Sequence, residues 1–173
     1  MLLPRDLALR FINGYKPTLL RVLANAGNKE TGEINTDLTA ARTLAKDNPS
    51  LIEVALASLA EEGKPVEPDV ASAIRSIRVE LWLYVKHTKT FAVFLDAKAE
   101  NGYAVRALTT PLNELVDEPP FAFEAGIFEY EGMFVCDGLV LNPVALGPSY
   151  RSQLKAAYSL LRKSGGFHAR TAA

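Results

Sequence analysis

The chain has 173 residues and a net charge of −1, and 49% of its residues are hydrophobic and 23% are charged. This length fits one domain of common size, or a small domain with a helical extension, and the composition is typical of a globular protein. No uninterrupted apolar run is long enough to cross a bilayer, so we expect neither a membrane-spanning segment nor a membrane partner. The near-neutral net charge alone neither favours nor excludes a polyanionic partner.

The chain contains a single cysteine, Cys136, which excludes an internal disulfide. The first residues lack the basic region followed by an apolar stretch that marks a secretory signal. These two features together predict a reducing, cytoplasmic location.

The first part of the chain, residues 1–79, is predicted to be a helical region. Apolar residues recur at helical spacing from Leu7 to Val22. Gly14 and Pro17 interrupt this pattern, because proline removes a backbone donor, so the sequence predicts two short helices or one kinked helix. Further helices are predicted over about residues 37–46, over residues 49–62 and from Pro68 onward.

Two apolar runs follow, Leu81–Val85 and Phe91–Leu95, with a polar break between them. They predict a hairpin whose strands are covered on both faces, because odd and even positions are equally apolar. The turn dipeptide Asn101-Gly102 then leads into a third predicted strand, Tyr103–Leu108.

The segment Phe121–Leu141 predicts a tight hairpin that turns at Glu131-Gly132, because glycine tolerates positive φ. In this register Gly126 lies opposite Asp137, and alternate side chains point to opposite sides of the sheet. One side is predicted to be core and carries Phe121, Phe123, Ala125, Ile127, Phe134, Cys136, Gly138 and Val140. The other side is mixed and is expected to be partly exposed, and it carries Glu124, Gly126, Phe128, Tyr130, Met133, Val135, Asp137 and Leu139.

The predicted fold class is therefore α+β, with an N-terminal helical part followed by a five-stranded antiparallel sheet or small barrel and a C-terminal helix. The helical region is assigned to residues 1–79. The sheet or barrel with its closing helix is assigned to residues 80–163, and residues 164–173 are predicted to be a flexible tail.

Glu124 and Asp137 are the candidate catalytic residues, because the hairpin register makes them diagonal neighbours on one face. Two carboxylates at that range can share a proton, bind a divalent cation or act as acid and base. The competing interpretation is that both face water, or that Asp137 belongs to a turn. No phosphate-binding glycine loop, GxSxG motif or clustered His/Cys spacing occurs, so we predict no cofactor and no metal site and leave enzymatic activity open.

The last predicted helix is basic, since five bases and no acid follow Ser149. One stripe at positions i, i+4, i+7 and i+11 consists of Arg151, Lys155, Tyr158 and Arg162, and we call it the basic stripe. The region from Asp96 to Glu131 has the opposite charge, with eight acids and two bases. The basic stripe predicts contact with an acidic partner or with nucleic acid, and the competing interpretation is an amphipathic helix with a solvated edge.

The sequence favours a non-catalytic cytoplasmic binding or regulatory module that acts through protein–protein contacts. The lack of catalytic motifs and the separated acidic and basic regions support this hypothesis, and they also allow self-association. The alternatives are nucleic-acid binding through the basic C-terminal helix, and a metal-assisted enzyme that uses the carboxylate pair on the sheet.

Overall fold

A computed structural model of the chain describes residues 1–116 and 119–170. The chain divides into two compact units, one of residues 6–77 and one that combines residues 1–5 with the chain from Arg78 onward. The first unit is helical, and the second contains a closed, barrel-like five-stranded sheet, extra strands and a C-terminal helix. The predicted α+β fold class is confirmed.

The helical unit is built around four helices, namely α1 (Arg5–Asn25), α2 (Ile34–Asp47), α3 (Ser50–Glu61) and α4 (Pro68–Arg75). Helix α1 runs without a break through both Gly14 and Pro17. Gly14 faces α4 closely, because an added Cβ would lie 2.6 Å from Cγ1 of Val70. The glycine that weakens the helix pattern in the sequence is thus the residue that lets α1 and α4 pack tightly.

Ion pairs between neighbouring helices involve several arginines of this unit. They are Arg10 with Glu67 and Asp69, Arg21 with Glu62, and Arg75 with Glu53. The Arg75 pair is bidentate, with nitrogen–oxygen distances of 2.7 and 2.9 Å. Each pair joins residues that are far apart in sequence, so each one links neighbouring segments of the helical unit.

The barrel unit contains the strands β1 (Arg78–His87), β2 (Ala92–Asp96), β3 (Gly102–Ala107), β4 (Phe121–Tyr130), β5 (Met133–Cys136), β6 (Leu141–Ala145) and β7 (Phe167–His168). The strand order β1-β2-β3-β5-β4 closes on itself through the β1–β4 pairing. A short helix, α5 (Leu112–Leu115), lies between β3 and β4. The β3–β5 pair is parallel, so the barrel is mixed where the sequence predicted antiparallel strands throughout.

The hairpin predicted around Glu131-Gly132 is confirmed in its register. Tyr130 pairs with Met133, and the two turn residues have φ values of +50° and +70°. The side chains predicted to face the core lie in one buried cluster, which includes Phe123, Ala125, Ile127, Phe134 and Cys136.

The opposite side of this hairpin was expected to be partly exposed, and that expectation is wrong for most of it. Phe128, Tyr130 and Val135 are 1%, 4% and 0% exposed. Their large apolar groups are buried on this side as well, which is the behaviour of strands covered on both faces. Alternation identified the two sides of the strands correctly, but it does not show how many layers cover a sheet.

Strand β2 is covered on both faces, as predicted, whereas β1 is covered only in part, because Leu81 on its outer face is 50% exposed. Trp82 and Phe94 point into the barrel, whereas Val93 and Leu95 pack outside it against the C-terminal helix α6 (Pro148–Ser164). The outer surface of β2 is therefore closed by the protein's own helix.

The segment assigned to a flexible tail contains β7, which pairs in parallel with the start of β3. Gly102 donates its N–H to the carbonyl oxygen of Gly166 over 2.9 Å, and this bond places the chain after α6 along the sheet. Residues 171–173 lie outside the described part of the chain.

Candidate functional site

The structure gives the carboxylate of Asp137 a role in holding the backbone. Its Oδ1 atom accepts hydrogen bonds from the N–H groups of Gly126 and Leu139, both over 3.1 Å, and the residue is 6% exposed. These bonds fix the turn after β5 against β4, because a buried carboxylate needs such donors. Asp137 therefore has a clear structural function at the position where the sequence offered a catalytic one.

Glu124, the second member of the predicted carboxylate pair, is partly buried on β4 and lies between Leu81 of β1 and Leu141 of β6 in the sheet register. Among residues 1–116 and 119–170, no group of three or more His, Cys, Asp or Glu side chains is arranged to hold a metal ion. The metal-assisted enzyme thus gains no support from the geometry around this pair.

Cys136 lies fully buried in the barrel cluster, and a thiol in apolar surroundings is a poor nucleophile. His87 lies at the end of β1, where its Nδ1 atom is 3.2 Å from the hydroxyl oxygen of Tyr84. Burial, and after it the N-terminal ammonium group, lower the pKa of His87 below its ordinary value of 6.5. The imidazole is therefore mainly neutral at pH 7.

Helix α6 presents the basic stripe to solvent. Proline at its start and a left-handed Gly165 at its C-cap, with φ of +84°, define the helix ends. Leu154 and Leu161 are buried against the barrel. This packing turns Arg151, Lys155 and Arg162 outward, and all three are exposed, while Tyr158 is partly exposed.

No acid follows Asp137 in the sequence, so α6 and its flanks carry only positive charge. Within the described part of the chain, none of the three bases of the stripe forms an ion pair. Arg151 donates a hydrogen bond to the carbonyl oxygen of Pro119 over 3.2 Å, and a carbonyl oxygen is an uncharged acceptor. As far as residues 1–116 and 119–170 show, this face concentrates positive charge on a chain of near-zero net charge.

Aromatic rings adjoin this positive face. The ring of Tyr158 lies 5.1 Å from that of Phe167, and the ring of Phe167 lies 6.1 Å from that of Phe91. The guanidinium carbon of Arg162 is 5.9 Å from the Tyr158 ring. We call Phe91, Phe167 and Tyr158 the aromatic row, and each of its three residues is partly exposed.

The β1–β2 turn holds one end of the aromatic row in place. The Thr88 hydroxyl donates to the carbonyl oxygen of Phe91 over 2.6 Å and accepts the Phe91 N–H over 3.0 Å. The exposed Lys89 lies within the same turn. The turn therefore carries a basic residue two positions from Phe91, at the end of the row opposite Arg162.

Sequence reasoning found the basic stripe but missed Phe91, Phe167 and Lys89. Phe91 was assigned to a covered strand and Phe167 to a flexible tail. Pairing of β7 with β3 brings the two rings together, and no local pattern in the sequence indicates that long-range contact. Only the composition of the segment, with aromatic residues among bases, could have suggested it.

The helical unit contains two shallow grooves of about 360 and 370 Å³ on either side of the segment 64–68, and both are lined by Pro65 and Val66. Arg10, which lines the first groove, is engaged with Glu67 and Asp69. Arg75 in the second groove is engaged with Glu53. The arginines of both grooves are therefore used within the fold itself, and neither groove presents a converging polar set.

Comparison of the chain with protein-family models, with curated protein sequences and with solved structures gave no match. In the part of the chain that the structure describes, no helix has both the length and the apolar character required to cross a bilayer.

Proposed function

We propose that the protein is a non-catalytic binding module that holds nucleic acid on the exposed face of α6. The observation that carries this proposal is the basic stripe, in which Arg151, Lys155 and Arg162 are exposed and stand in a segment without acids. Phosphate groups supply the matching charge, and neutralising them releases counterions, which drives association.

The aromatic rings beside the stripe favour nucleic acid over an acidic protein surface as the partner. The carboxylates of an acidic protein would contact only the basic residues of this face. Nucleotides offer phosphates to the basic residues and flat rings to the aromatic residues. Tyr158 and Arg162 are next to each other on this face, so one nucleotide can contact an aromatic ring and a cation together. The net charge of −1 is no obstacle, because a local group of basic residues can attract phosphates on a nearly neutral chain.

The barrel supports the proposal only by analogy of fold. OB-type folds are also five-stranded barrels, and they bind oligonucleotides over strands two and three. In this chain the outer side of β2 is covered by α6 through Leu154 and Leu161. We therefore place the contact on α6 itself.

Fluorescence anisotropy with labelled mixed-sequence oligonucleotides tests the proposal. We expect binding at about 0.05 M salt, and we expect the triple variant Arg151→Ala/Lys155→Ala/Arg162→Ala to bind at least about tenfold more weakly. The matched control is Lys16→Ala/Lys29→Ala/Lys64→Ala, which removes the same charge from exposed positions of the helical unit. Equal weakening by the two triple variants, or no binding by the unmodified protein, would contradict the proposal.

Protein contact, in the form of self-association, is the second candidate function. Leu81 on β1 and Val144 on β6 are 50% and 57% exposed on the outer face of the barrel. A second copy is the occupant we consider, because a two-fold axis can place this apolar patch against itself. Pro143 lacks an N–H and lies in the edge strand β6, so the contact would use side chains rather than strand pairing.

Light scattering over a salt series tests self-association. A dimer held by Leu81 and Val144 persists at high salt and is lost in Val144→Asp. A dimer held by the basic stripe against acidic residues dissociates as salt increases. A monomer mass at both ends of the series removes this candidate.

A further inference from the structure

We infer that the nucleic acid is single-stranded and that its bases stack on the aromatic row of Phe91, Phe167 and Tyr158. This inference rests on the proposed function and specifies its ligand. The row joins the β1–β2 turn to α6, with successive ring centroids 6.1 and 5.1 Å apart. The aromatic row therefore forms a continuous strip beside the exposed basic residues of the protein.

The interplanar angles show that the row is not a closed stack of its own. Phe91 and Phe167 are tilted by 42°, and Tyr158 meets Phe167 edge to face at 74°. Edge-to-face packing leaves one ring with a face turned away from its neighbour. Each residue also remains partly exposed although large apolar side chains pack beneath it.

Basic residues flank the aromatic row at both of its ends. Lys89 lies in the turn that fixes Phe91, and Arg162 lies over Tyr158 at the other end. Lys155 is exposed one helical turn before Tyr158. A strand that follows the row meets a positive charge on either side, which is the combination of backbone charge and stacking platform that binds single strands without sequence preference.

A duplex fits this surface less well. Its base faces are covered by neighbouring base pairs, so the aromatic row would contact only the phosphate backbone. A single strand can present a π-face to each ring, and base–aromatic stacking adds affinity at every step. We therefore expect a preference for single strands over duplexes of equal length.

Anisotropy titrations of two variants, Tyr158→Leu and Tyr158→Phe, test the inference. The ligands are an oligothymidine of about 20 nucleotides, which is longer than the usual single-strand site, and a duplex of equal length. The phenylalanine variant keeps the ring, and the leucine variant keeps only the apolar bulk. We expect the leucine variant to lose at least about fivefold in affinity for the single strand. The phenylalanine variant should bind like the unmodified protein, and the affinity for duplex should not depend on either change.

Phe91→Leu gives a second, independent test at the other end of the row, with melting followed through the single, buried Trp82. If Tyr158→Leu lowers the melting temperature of the barrel, its affinity no longer reports on stacking alone, and the affinity of Phe91→Leu decides the outcome. Equal affinity for single strand and duplex, with both leucine variants unchanged, overturns the inference and leaves the proposed function standing. Absence of binding to either ligand overturns both.

Discussion

The basic residues of the helical unit and those of α6 are used in opposite ways. In the helical unit, Arg10, Arg21 and Arg75 each meet acids on a neighbouring segment, at nitrogen–oxygen distances of 2.5–2.7 Å. In the described part of α6, Arg151 and Arg162 meet no carboxylate. The first group is neutralised within the fold, and the second is left available to an external anion.

The count of charges therefore says little about where a chain can bind a polyanion. The protein as a whole is nearly neutral. Because no carboxylate of the described residues pairs with Arg151, Lys155 or Arg162, the helix keeps its positive field. Changes in the two regions should therefore have different consequences, with loss of stability in one and loss of binding in the other.

The largest effect on stability should come from Gly14, which sets the spacing of the helical unit. Gly14→Ala places a Cβ 2.6 Å from Val70 Cγ1 and 2.8 Å from Val66 Cγ1. We expect a loss of about 1–3 kcal/mol of unfolding free energy in urea titrations, through overpacking. The loss should shrink when Val70→Ala is added, because the two changes then compensate. An unaltered midpoint for Gly14→Ala would show that α1 and α4 lie further apart.

As the pH falls, the two units should lose stability at different pH values, and the barrel unit should lose stability first. Because burial lowers the pKa of His87, the unfolded chain binds a proton before the folded barrel does as the pH falls through 6.5. His87 is exposed, so the stability that it contributes is small; this stability is complete above pH 6.5 and declines as the pH falls from 6.5 to the lower pKa of the folded state. Urea titrations followed by Trp82 fluorescence should show this loss, and His87→Gln should flatten it.

The helical unit should respond only at lower pH. The N–H of Thr31 lowers the pKa of Asp37 below 3.8, and hydrogen bonds from arginines lower the pKa values of Glu53 and Glu62 below 4.5. These carboxylates contribute stability above their ordinary pKa values, which is lost as the pH falls through the folded values. Loss of helical circular dichroism should therefore begin below about pH 4.5. Parallel loss of both signals from pH 6.5 would contradict this order.

Breaking a single ion pair should have a smaller effect. Arg75→Ala removes the bidentate contact to Glu53, but both side chains are about half exposed. Solvent screens such a pair, so we expect a loss below about 1 kcal/mol in urea titrations. Oligonucleotide affinity should stay unchanged. A change in binding without a change in stability would assign Arg75 to the binding surface.

The smallest effect on stability should come from the basic stripe itself. Lys155→Ala removes an exposed side chain from α6 and introduces the residue of highest helix propensity. We expect the urea midpoint to be unchanged within error or slightly raised. A clear loss of stability would show that Lys155 has a structural partner, and the comparison between the two regions would fail.

Much of the fold follows from local sequence patterns, whereas the candidate site depends on contacts between distant segments. The Glu131-Gly132 turn and alternation around it were sufficient to place Phe123, Ile127 and Phe134 in one core. The parallel β3–β5 pair was not predictable in the same way, because α5 and β4 lie between these two strands in the sequence. Local turn chemistry does not specify such pairings.

The same distinction holds for the site. The spacing of Arg151, Lys155 and Arg162 follows directly from helical periodicity. Phe91 and Phe167 lie far apart in the sequence of the barrel unit, and their rings become neighbours only when β7 pairs with β3. The structural role of Asp137 could not be predicted either, because the sequence does not distinguish a carboxylate that accepts hydrogen bonds from backbone N–H groups from one that faces a substrate.

The salt dependence of oligonucleotide binding reports how many phosphate groups the protein neutralises. Log–log plots of affinity against salt concentration should be linear for the unmodified protein. For Arg151→Ala/Lys155→Ala/Arg162→Ala the slope should be shallower by about 2, since each phosphate contact on a single strand contributes about 0.7. Equal slopes for the two proteins, or affinity that does not change with salt, would contradict the assignment of α6 as the nucleic-acid-binding surface.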